Sequence, residues 1–201
     1  MIHAENVRYI LEHGICCREH NLSDPNYINI GHRQLIQDRH THAIPLPGGG
    51  RLGQYIPFYF AGHSPMLYLI INGFQGVQQR KQEDLIFIVS SVEKVKDLGL
   101  PILFTDRNAK ISVAKFFEDE QDFDKLRWDV ITSQDWKNSE SDISRRDFKQ
   151  AEFLINDYMP VTGIESLVVK TTERKENLER VISELSLDIP VYIDTTNKLF
   201  Y

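Results

Sequence analysis

A glutamate interrupts a run of apolar residues late in the chain, at Ala151-Glu152-Phe153-Leu154-Ile155. The run predicts a strand, and side chains alternate across a strand, so Glu152 and Leu154 share one face while Phe153 and Ile155 share the other. Both faces are apolar. An ionised carboxylate there is costly unless it is paired or reaches a cleft. The fold must therefore give the Glu152 carboxylate either a partner or access to a cleft.

Two interpretations of Glu152 follow from the strand alone. It is a functional carboxylate, or it is a charge that protects an edge strand from aggregation, and the strand by itself slightly favours the second. No competing catalytic motif is present, since the chain lacks GxSxG, a P-loop, GxGxxG after a strand and HExxH. Gly48-Gly49-Gly50 lacks the Lys-Ser/Thr and the helix of a phosphate loop, which favours a flexible turn.

Apolar periodicity and turn residues divide the chain into short helices and strands that mix without regular βαβ alternation. This mixture indicates the α+β class with a largely antiparallel sheet. The length of 201 residues predicts one domain over residues 1–201. Helices are predicted at 6–13, 31–40, 66–71, 91–98, 119–126 and 171–185, and strands at 55–60, 84–90, 102–104, 150–155, 164–169 and 190–193.

Particular residues sharpen these assignments. Gly14 is predicted to end the first helix, and the second helix is expected to turn Leu35 and Ile36 inward. Pro57 places its strand at a sheet edge or at the start of a strand. Ser64-Pro65 has the pattern of an N-cap followed by proline at the first helical position.

Composition limits the classes of function. The net charge of −6 argues against bulk electrostatic attraction to nucleic acid, so DNA would have to bind local patches, of which Arg80-Lys81 and Arg145-Arg146 with Lys149 are candidates. A solvated face is the alternative for these charges. No apolar run is long enough to span a membrane and no secretion signal is recognisable, which predicts a cytoplasmic protein.

Metal binding is not expected. Cys16-Cys17 are too few for a structural zinc site and are predicted to be reduced. All seven histidines lie at or before position 63, but none forms an HxxxH pair on a convincing helix with a carboxylate partner. The histidines, glycines and prolines instead indicate that the first third of the chain is rich in loops and carries a site.

Several motifs together resemble one family. The run Tyr55-Ile56-Pro57-Phe58-Tyr59-Phe60, followed by Ser64-Pro65-Met66-Leu67-Tyr68, is similar to the central signature of the DarT toxins. Gln150-Ala151-Glu152-Phe153-Leu154 resembles that family's catalytic strand. Phe104-Thr105-Asp106 and the segment from Asn6 to Gly14 also fit. The resemblance covers nearly the whole chain in the right order.

The resemblance implies an ADP-ribosyltransferase-like fold with a central, largely antiparallel split sheet and flanking helices. It implies transfer of ADP-ribose from NAD, without a metal, onto thymine or guanine in single-stranded DNA. It also implies a toxin paired with an antitoxin that removes the mark, and we expect a monomer. Alternatives are a non-catalytic module that binds NAD or DNA, and a transferase acting on RNA or protein.

The resemblance also assigns roles to residues. Glu152 corresponds to the catalytic glutamate, whose carboxylate would stabilise an oxocarbenium-like ribose. The acceptor base must lose a proton, for which Arg39 or His40 is the candidate. NAD is expected at His3, Gly14, Tyr59 and Met66. DNA is expected at Arg51, Phe58, His63, Arg145, Arg146 and Lys149, with Phe58 and Tyr59 offering faces on which an unstacked base can stack.

Overall fold

The computed structural model describes all 201 residues. The strands are β1 Ile2–His3, β2 Ile15–Cys16, β3 Tyr55–Tyr59, β4 Leu85–Val89, β5 Ile102–Thr105, β6 Phe116–Phe117, β7 Glu152–Asn156, β8 Tyr158–Met159, β9 Ser166–Val169 and β10 Val191–Ile193. The helices are α1 Val7–His13, α2 Arg33–Thr41, α3 Pro65–Asn72, α4 Val92–Asp97, α5 Trp128–Ile131, α6 Arg145–Phe148 and α7 Thr172–Glu184. Short 3₁₀ helices lie at Ala4–Asn6, Leu52–Gln54, Phe74–Gly76, Gln82–Asp84, Glu120–Lys125 and Val161–Gly163.

The strands form two four-stranded sheets, of order β1-β4-β9-β10 and β3-β7-β5-β6, and a small ribbon of β2 and β8. Only β9 and β10 run parallel, because α7 connects them as a crossover, and the other strand pairs are antiparallel. The predicted α+β fold with a largely antiparallel, split sheet is confirmed.

Strand β7 lies in the interior of the second sheet, between β3 and β5. Phe153 and Ile155 pack into the largest core cluster, whereas Leu154 packs on the other side in a smaller one, as the predicted alternation requires. Because β7 is not an edge strand, the interpretation of Glu152 as an edge-protecting charge is wrong. The residue sits at the first position of a buried strand.

Local signals near β3 and α3 are confirmed. Pro57 lies on β3, which is an edge strand of its sheet. Ser64 caps α3, with its Oγ accepting a hydrogen bond from the backbone N–H of Leu67 at 3.1 Å, and Pro65 is the first residue of the helix. Gly14 ends α1 with a φ of 87°.

Other expectations need correction. Leu35 does not turn inward, because α2 has no fully buried residue and Leu35 is 41% exposed. The helix predicted over 119–126 is a 3₁₀ helix, Glu120–Lys125. The short helices α5 and α6 were not predicted, since four residues are too few to show a helical period.

Helix length bears on membrane insertion. The longest helix, α7, has 13 residues and an exposed charged face. No helix combines the length and the apolar character that crossing a bilayer requires.

Candidate active site

The carboxylate of Glu152 is the centre of a buried polar cluster. The residue is 2% exposed. Its oxygens accept hydrogen bonds from Arg39 Nη1, at 3.2 Å to Oε1 and 2.9 Å to Oε2, and Oε1 also accepts the backbone N–H of Ala109 at 3.1 Å. The charge that its strand does not favour is thus paired with a guanidinium and a backbone donor.

Arg39 reaches this carboxylate from the last turn of α2, 113 residues earlier in the chain. Its side chain is 19% exposed, and only Nη1 is used on Glu152. Nη2 is buried and has no protein partner. A buried donor without a partner is unusual in a native protein, so the site retains an unused hydrogen-bond donor beside the carboxylate.

The end of β5 holds the backbone of Glu152. Thr105 Oγ1 accepts the backbone N–H of Glu152 at 3.1 Å and donates to the carbonyl of Arg107 at 2.6 Å. The chain then turns back so that Ala109 N–H points at the carboxylate. Thr105 lies in a motif of the family resemblance, but no role was predicted for it, and a backbone donor such as Ala109 leaves no signal in the sequence.

Tyr59 lies directly opposite Glu152 in the register of β3 and β7. Burial, followed by the negative charge of Glu152, raises the pKa of the Tyr59 phenol above its ordinary value. The hydroxyl is therefore neutral at physiological pH and can donate a hydrogen bond. The structure brings the predicted residues Arg39, Tyr59 and Glu152 together.

His40 points elsewhere. Its Nδ1 lies 3.5 Å from Glu19 Oε1, and the ring packs against Gly53, where a Cβ would come within 2.8 Å of it. Of the two candidates for activating the acceptor, Arg39 is the one in contact with Glu152.

A second pair of basic side chains, not found in the sequence analysis, adjoins Arg39. Lys110 Nζ lies 3.5 Å from His42 Nδ1, where His42 directly follows α2. Burial, followed by the charges of Lys110 and Arg39, lowers the pKa of His42.

The other residues predicted to bind NAD lie on separate elements. His3 is on β1 of the other sheet, and its Nδ1 accepts the N–H of Glu5 at 3.3 Å. Burial, followed by the charge of Arg80, lowers the pKa of His3. Gly14 is buried against β8, and Met66 is half-buried in the first turn of α3.

Three predicted DNA contacts are corrected. Phe58 faces the opposite side of the sheet from Glu152, because it pairs with Phe153 and packs against the largest core cluster. Lys149 is 4% exposed, and its Nζ donates to the carbonyls of Ile131 and Ser133, both at 2.7 Å. Burial, followed by Arg145, lowers the pKa of Lys149 to about 8.

His63 is the third correction. It is buried, with Nε2 hydrogen-bonded to the carbonyl of Asn197 and its ring against Tyr201. A side chain covered in this way does not present itself to a phosphate.

The remaining arginines predicted to bind DNA keep some exposure. Arg51 is exposed beside Glu19, at 3.5 Å. Arg145 donates to the carbonyl of Asp135 and to Ser133 Oγ, and Arg146 lies over the ring of Trp136. Of these three arginines only Arg51 forms a salt bridge, the exposed contact with Glu19. Their contacts with DNA stay predictions.

No group of three or more His, Cys, Asp or Glu side chains is arranged to hold a metal ion. The donors on Glu152 instead come from a guanidinium and the backbone. A buried carboxylate held in this way, opposite a tyrosine and at the start of a central strand, suits the stabilisation of positive charge on a sugar.

Comparison with known proteins defines the class. The fold matches that of the DarT ADP-ribosyltransferase from Thermus sp. 2.9, solved in complex with ADP-ribosylated ssDNA, with a TM-score of 0.85 and 32% identity over 95% of this chain and 90% of that one. The same protein in complex with NAD⁺ matches with a TM-score of 0.80 over 95% and 91% of the two chains. This chain therefore has the fold of an ADP-ribosyltransferase.

The sequence comparison agrees and is more specific. The family model "ssDNA thymidine ADP-ribosyltransferase, DarT" matches residues 1–201. A DNA ADP-ribosyl transferase from Thermus sp. (strain 2.9) is 34% identical over 182 residues, which is 90% of this chain and 85% of that protein. The chain belongs to the DarT family, and the predicted family, fold and class of enzyme are confirmed.

Proposed function

We propose that this protein transfers ADP-ribose from NAD onto thymine in single-stranded DNA, with Glu152 as the catalytic carboxylate. The observation that carries the proposal is the buried contact between Arg39 and Glu152, two residues assigned catalytic roles independently of their positions in space. The relatives' complexes with NAD⁺ and with ADP-ribosylated ssDNA support NAD and DNA as the substrates.

Glu152 acts on the donor. The nicotinamide–ribose bond breaks with its electron pair leaving on nicotinamide, and positive charge develops on the ribose. A carboxylate that accepts a hydrogen bond from a ribose hydroxyl stabilises that charge. Tyr59, whose neutral hydroxyl lies on the neighbouring strand, supports the sugar or the nicotinamide beside it.

Arg39 acts on the acceptor. A guanidinium is a poor base but a strong donor, and Nη2 has no protein partner. We assign Nη2 to a carbonyl oxygen of the base, where it makes the adjacent ring N–H more acidic. The ring nitrogen then bonds to the ribose carbon and its proton passes to water. Thymine and guanine carry an N–H beside a carbonyl, and the family description names thymidine.

The wider biological role is part of the same proposal. The family match over residues 1–201 supports a single transferase domain, which we propose acts as a monomeric cytoplasmic toxin. The cognate antitoxin would remove the ADP-ribose. An unpaired base is needed for access to the ring N–H, which supports a single-stranded substrate.

Mass spectrometry tests the proposal directly. Purified protein is incubated with NAD and single-stranded oligonucleotides that each lack one base, with an RNA oligonucleotide in parallel. We expect one ADP-ribose on every oligonucleotide that contains thymine, with release of nicotinamide. Glu152→Gln should lower the rate by at least about 10²-fold, because the charge that stabilises the transition state is lost.

A matched control separates catalysis from net charge. Glu176→Gln removes the same charge from the exposed face of α7 and should leave the rate unchanged. Both variants are checked by circular dichroism. Adduct formation by folded Glu152→Gln at the wild-type rate would overturn the assignment, and an adduct on RNA or protein alone would overturn the DNA acceptor.

A further inference from the structure

Lys110 and His42 form a basic pair whose charge is not neutralised within the protein. Their nitrogens lie 3.5 Å apart, and neither side chain forms a salt bridge with a carboxylate. Both are half-buried. Two basic groups at this separation repel each other once His42 is protonated, and burial, followed by the charges of Lys110 and Arg39, lowers the pKa of His42.

The pair is attached directly to the catalytic cluster. Lys110 follows Ala109, whose N–H is bonded to Glu152 Oε1. His42 follows the helix that carries Arg39, and its backbone N–H donates to the carbonyl of Arg39 at 3.3 Å. The backbone N–H of Lys110 donates to Asn108 Oδ1 at 3.0 Å, which fixes the turn. Both basic groups are therefore held beside Arg39.

The uncompensated positive charge of this pair favours an anionic ligand. The chain carries a net charge of −6, so single-stranded DNA has to be held by local surpluses of positive charge. At this cluster Arg39 is paired with Glu152, whereas Lys110 forms no salt bridge and has only His42 beside its Nζ. The proposed function assigns the buried Nη2 of Arg39, which has no protein partner, to the target base, so the pair lies beside the acceptor strand.

We propose that Lys110 and His42 bind a phosphodiester of the substrate strand next to the target base. The inference rests on the proposed function. The pair adjoins Arg39, which faces the acceptor, whereas Tyr59 approaches Glu152 from the opposite strand β3. The ligand in this proposal is a DNA phosphate, and the separate KM values for DNA and NAD distinguish it from the pyrophosphate of NAD. Such a contact positions the strand and does not read the base.

Binding and kinetics of the full chain test this proposal. The affinity for a short thymine-containing oligonucleotide is measured by fluorescence anisotropy across a salt series, and KM is measured separately for DNA and NAD. For Lys110→Gln we expect weaker DNA binding and a several-fold higher KM for DNA. The slope of log K against log salt should fall by about 0.7, the value for one lost phosphate contact on a single strand.

A charge-matched control, a second variant and a neutral substrate show whether the effect of Lys110→Gln is specific to a phosphate contact. Lys175→Gln removes the same charge from α7 and should leave the salt slope and both KM values unchanged. His42→Gln should weaken DNA binding in the same direction as Lys110→Gln, so the test stands if one variant fails to fold. A neutral methylphosphonate next to the target thymine should make wild-type protein bind DNA as weakly as Lys110→Gln does.

The outcomes are distinct from those for the proposed function. Wild-type protein is assayed for adduct formation in the same samples, so loss of the proposed activity is seen separately from loss of phosphate binding. A higher KM for NAD with an unchanged KM for DNA would overturn the proposal. The proposal would also be overturned if the slope of log K against log salt were the same for Lys110→Gln as for Lys175→Gln.

Discussion

At the scale of the residue, the buried pair of Arg39 and Glu152 bears on folding as well as on the proposed chemistry. Glu152 is almost inaccessible to water and depends on one guanidinium and one backbone N–H for its charge. Removing one partner of a buried ion pair leaves the other charge uncompensated, which costs more than removing both. Catalytic and structural effects of substitutions here must therefore be measured separately.

A double-mutant cycle measures this coupling. We expect Arg39→Ala to lower the free energy of unfolding by about 3–5 kcal/mol, because the carboxylate of Glu152 is left buried and unpaired. Arg39→Ala combined with Glu152→Ala should cost clearly less than the sum of the single changes. Urea denaturation at pH 7 provides the free energies, and strictly additive losses would contradict the coupling.

Some of these contacts were predictable from the sequence and others were not. The apolar run around Glu152 signalled a charge that needs a partner, and the family motif placed Arg39 or His40 near it. Choosing between them needed the rotation of α2, since consecutive helical residues point in different directions. Lys149 looked like a surface charge because sequence shows a charge but not the loop carbonyls that cover it.

At the scale of the element, the junction between α1 and β2 depends on Gly14. Its φ of 87° and ψ of −177° belong to a region of backbone space that is essentially restricted to glycine. A Cβ at this position would also lie 2.7 Å from the carbonyl oxygen of Met159 and from the ring of Tyr158. The close approach sets how α1 leads into the ribbon of β2 and β8.

We expect Gly14→Ala to destabilise the protein more than Gly48→Ala does. Gly48 has a φ of 76°, but a Cβ added there would meet nothing within 4 Å, so its substitution costs only the backbone strain, about 1–2 kcal/mol. Gly14→Ala adds a clash worth about 1–3 kcal/mol more. Urea midpoints of the two variants decide the matter, and equal losses would show that the contact with β8 is unimportant.

Elements with strong local signals were predictable. Ser64-Pro65 gave the start of α3, and the alternation of Phe153 and Leu154 gave the two faces of β7. Phe58 and Tyr59 were both predicted to stack on a base because β3 has half-buried aromatic residues on both sides, and only the register with β7 shows which side Glu152 occupies. The helices α5 and α6 have four residues each, which is about one helical turn and too short to show a period of apolar residues in the sequence.

At the scale of the whole molecule, residues 194–201 tie distant parts together. The carboxylate of Asp194 accepts the backbone N–H groups of Lys198, Leu199 and Phe200 at 2.9, 2.8 and 2.9 Å. Phe200 is fully buried in the cluster formed by α3 and β4. The hydroxyl of Tyr201 accepts Trp136 Nε1 at 2.7 Å and donates to the carbonyl of His63 at 3.1 Å.

Asp194 should make the stability of this arrangement depend on acid. Burial opposes ionisation of Asp194, but the three N–H donors outweigh it and the pKa is lowered. A lowered carboxyl pKa stabilises the folded state above the unfolded pKa, about 3.9, and that contribution is lost as pH falls through the folded value. The loss of stability caused by Asp194→Asn should therefore be full at pH 7 and become smaller below about pH 4.

Thermal unfolding of wild type and Asp194→Asn at pH 7 and pH 3 measures this change. Asp188→Asn, an exposed carboxylate with no hydrogen bond in the structure, provides the comparison and should show little effect at either pH. If Asp194→Asn lowers the unfolding temperature by the same amount at both pH values, the stabilising role of the ionised carboxylate is contradicted.

In the second sheet, a long connection joins the neighbouring strands β5 and β7. These neighbouring antiparallel strands are separated in sequence by residues 106–151, which include the edge strand β6 and whose two ends lie beside each other. The two junctions lie about 5 Å apart, the spacing of paired strands. This connection therefore belongs to the core as well as to the site, because it buries Leu126 and Ile131 in the largest core cluster and supplies the Ala109 N–H to Glu152, so a change in its course would alter the packing and the surroundings of the carboxylate together.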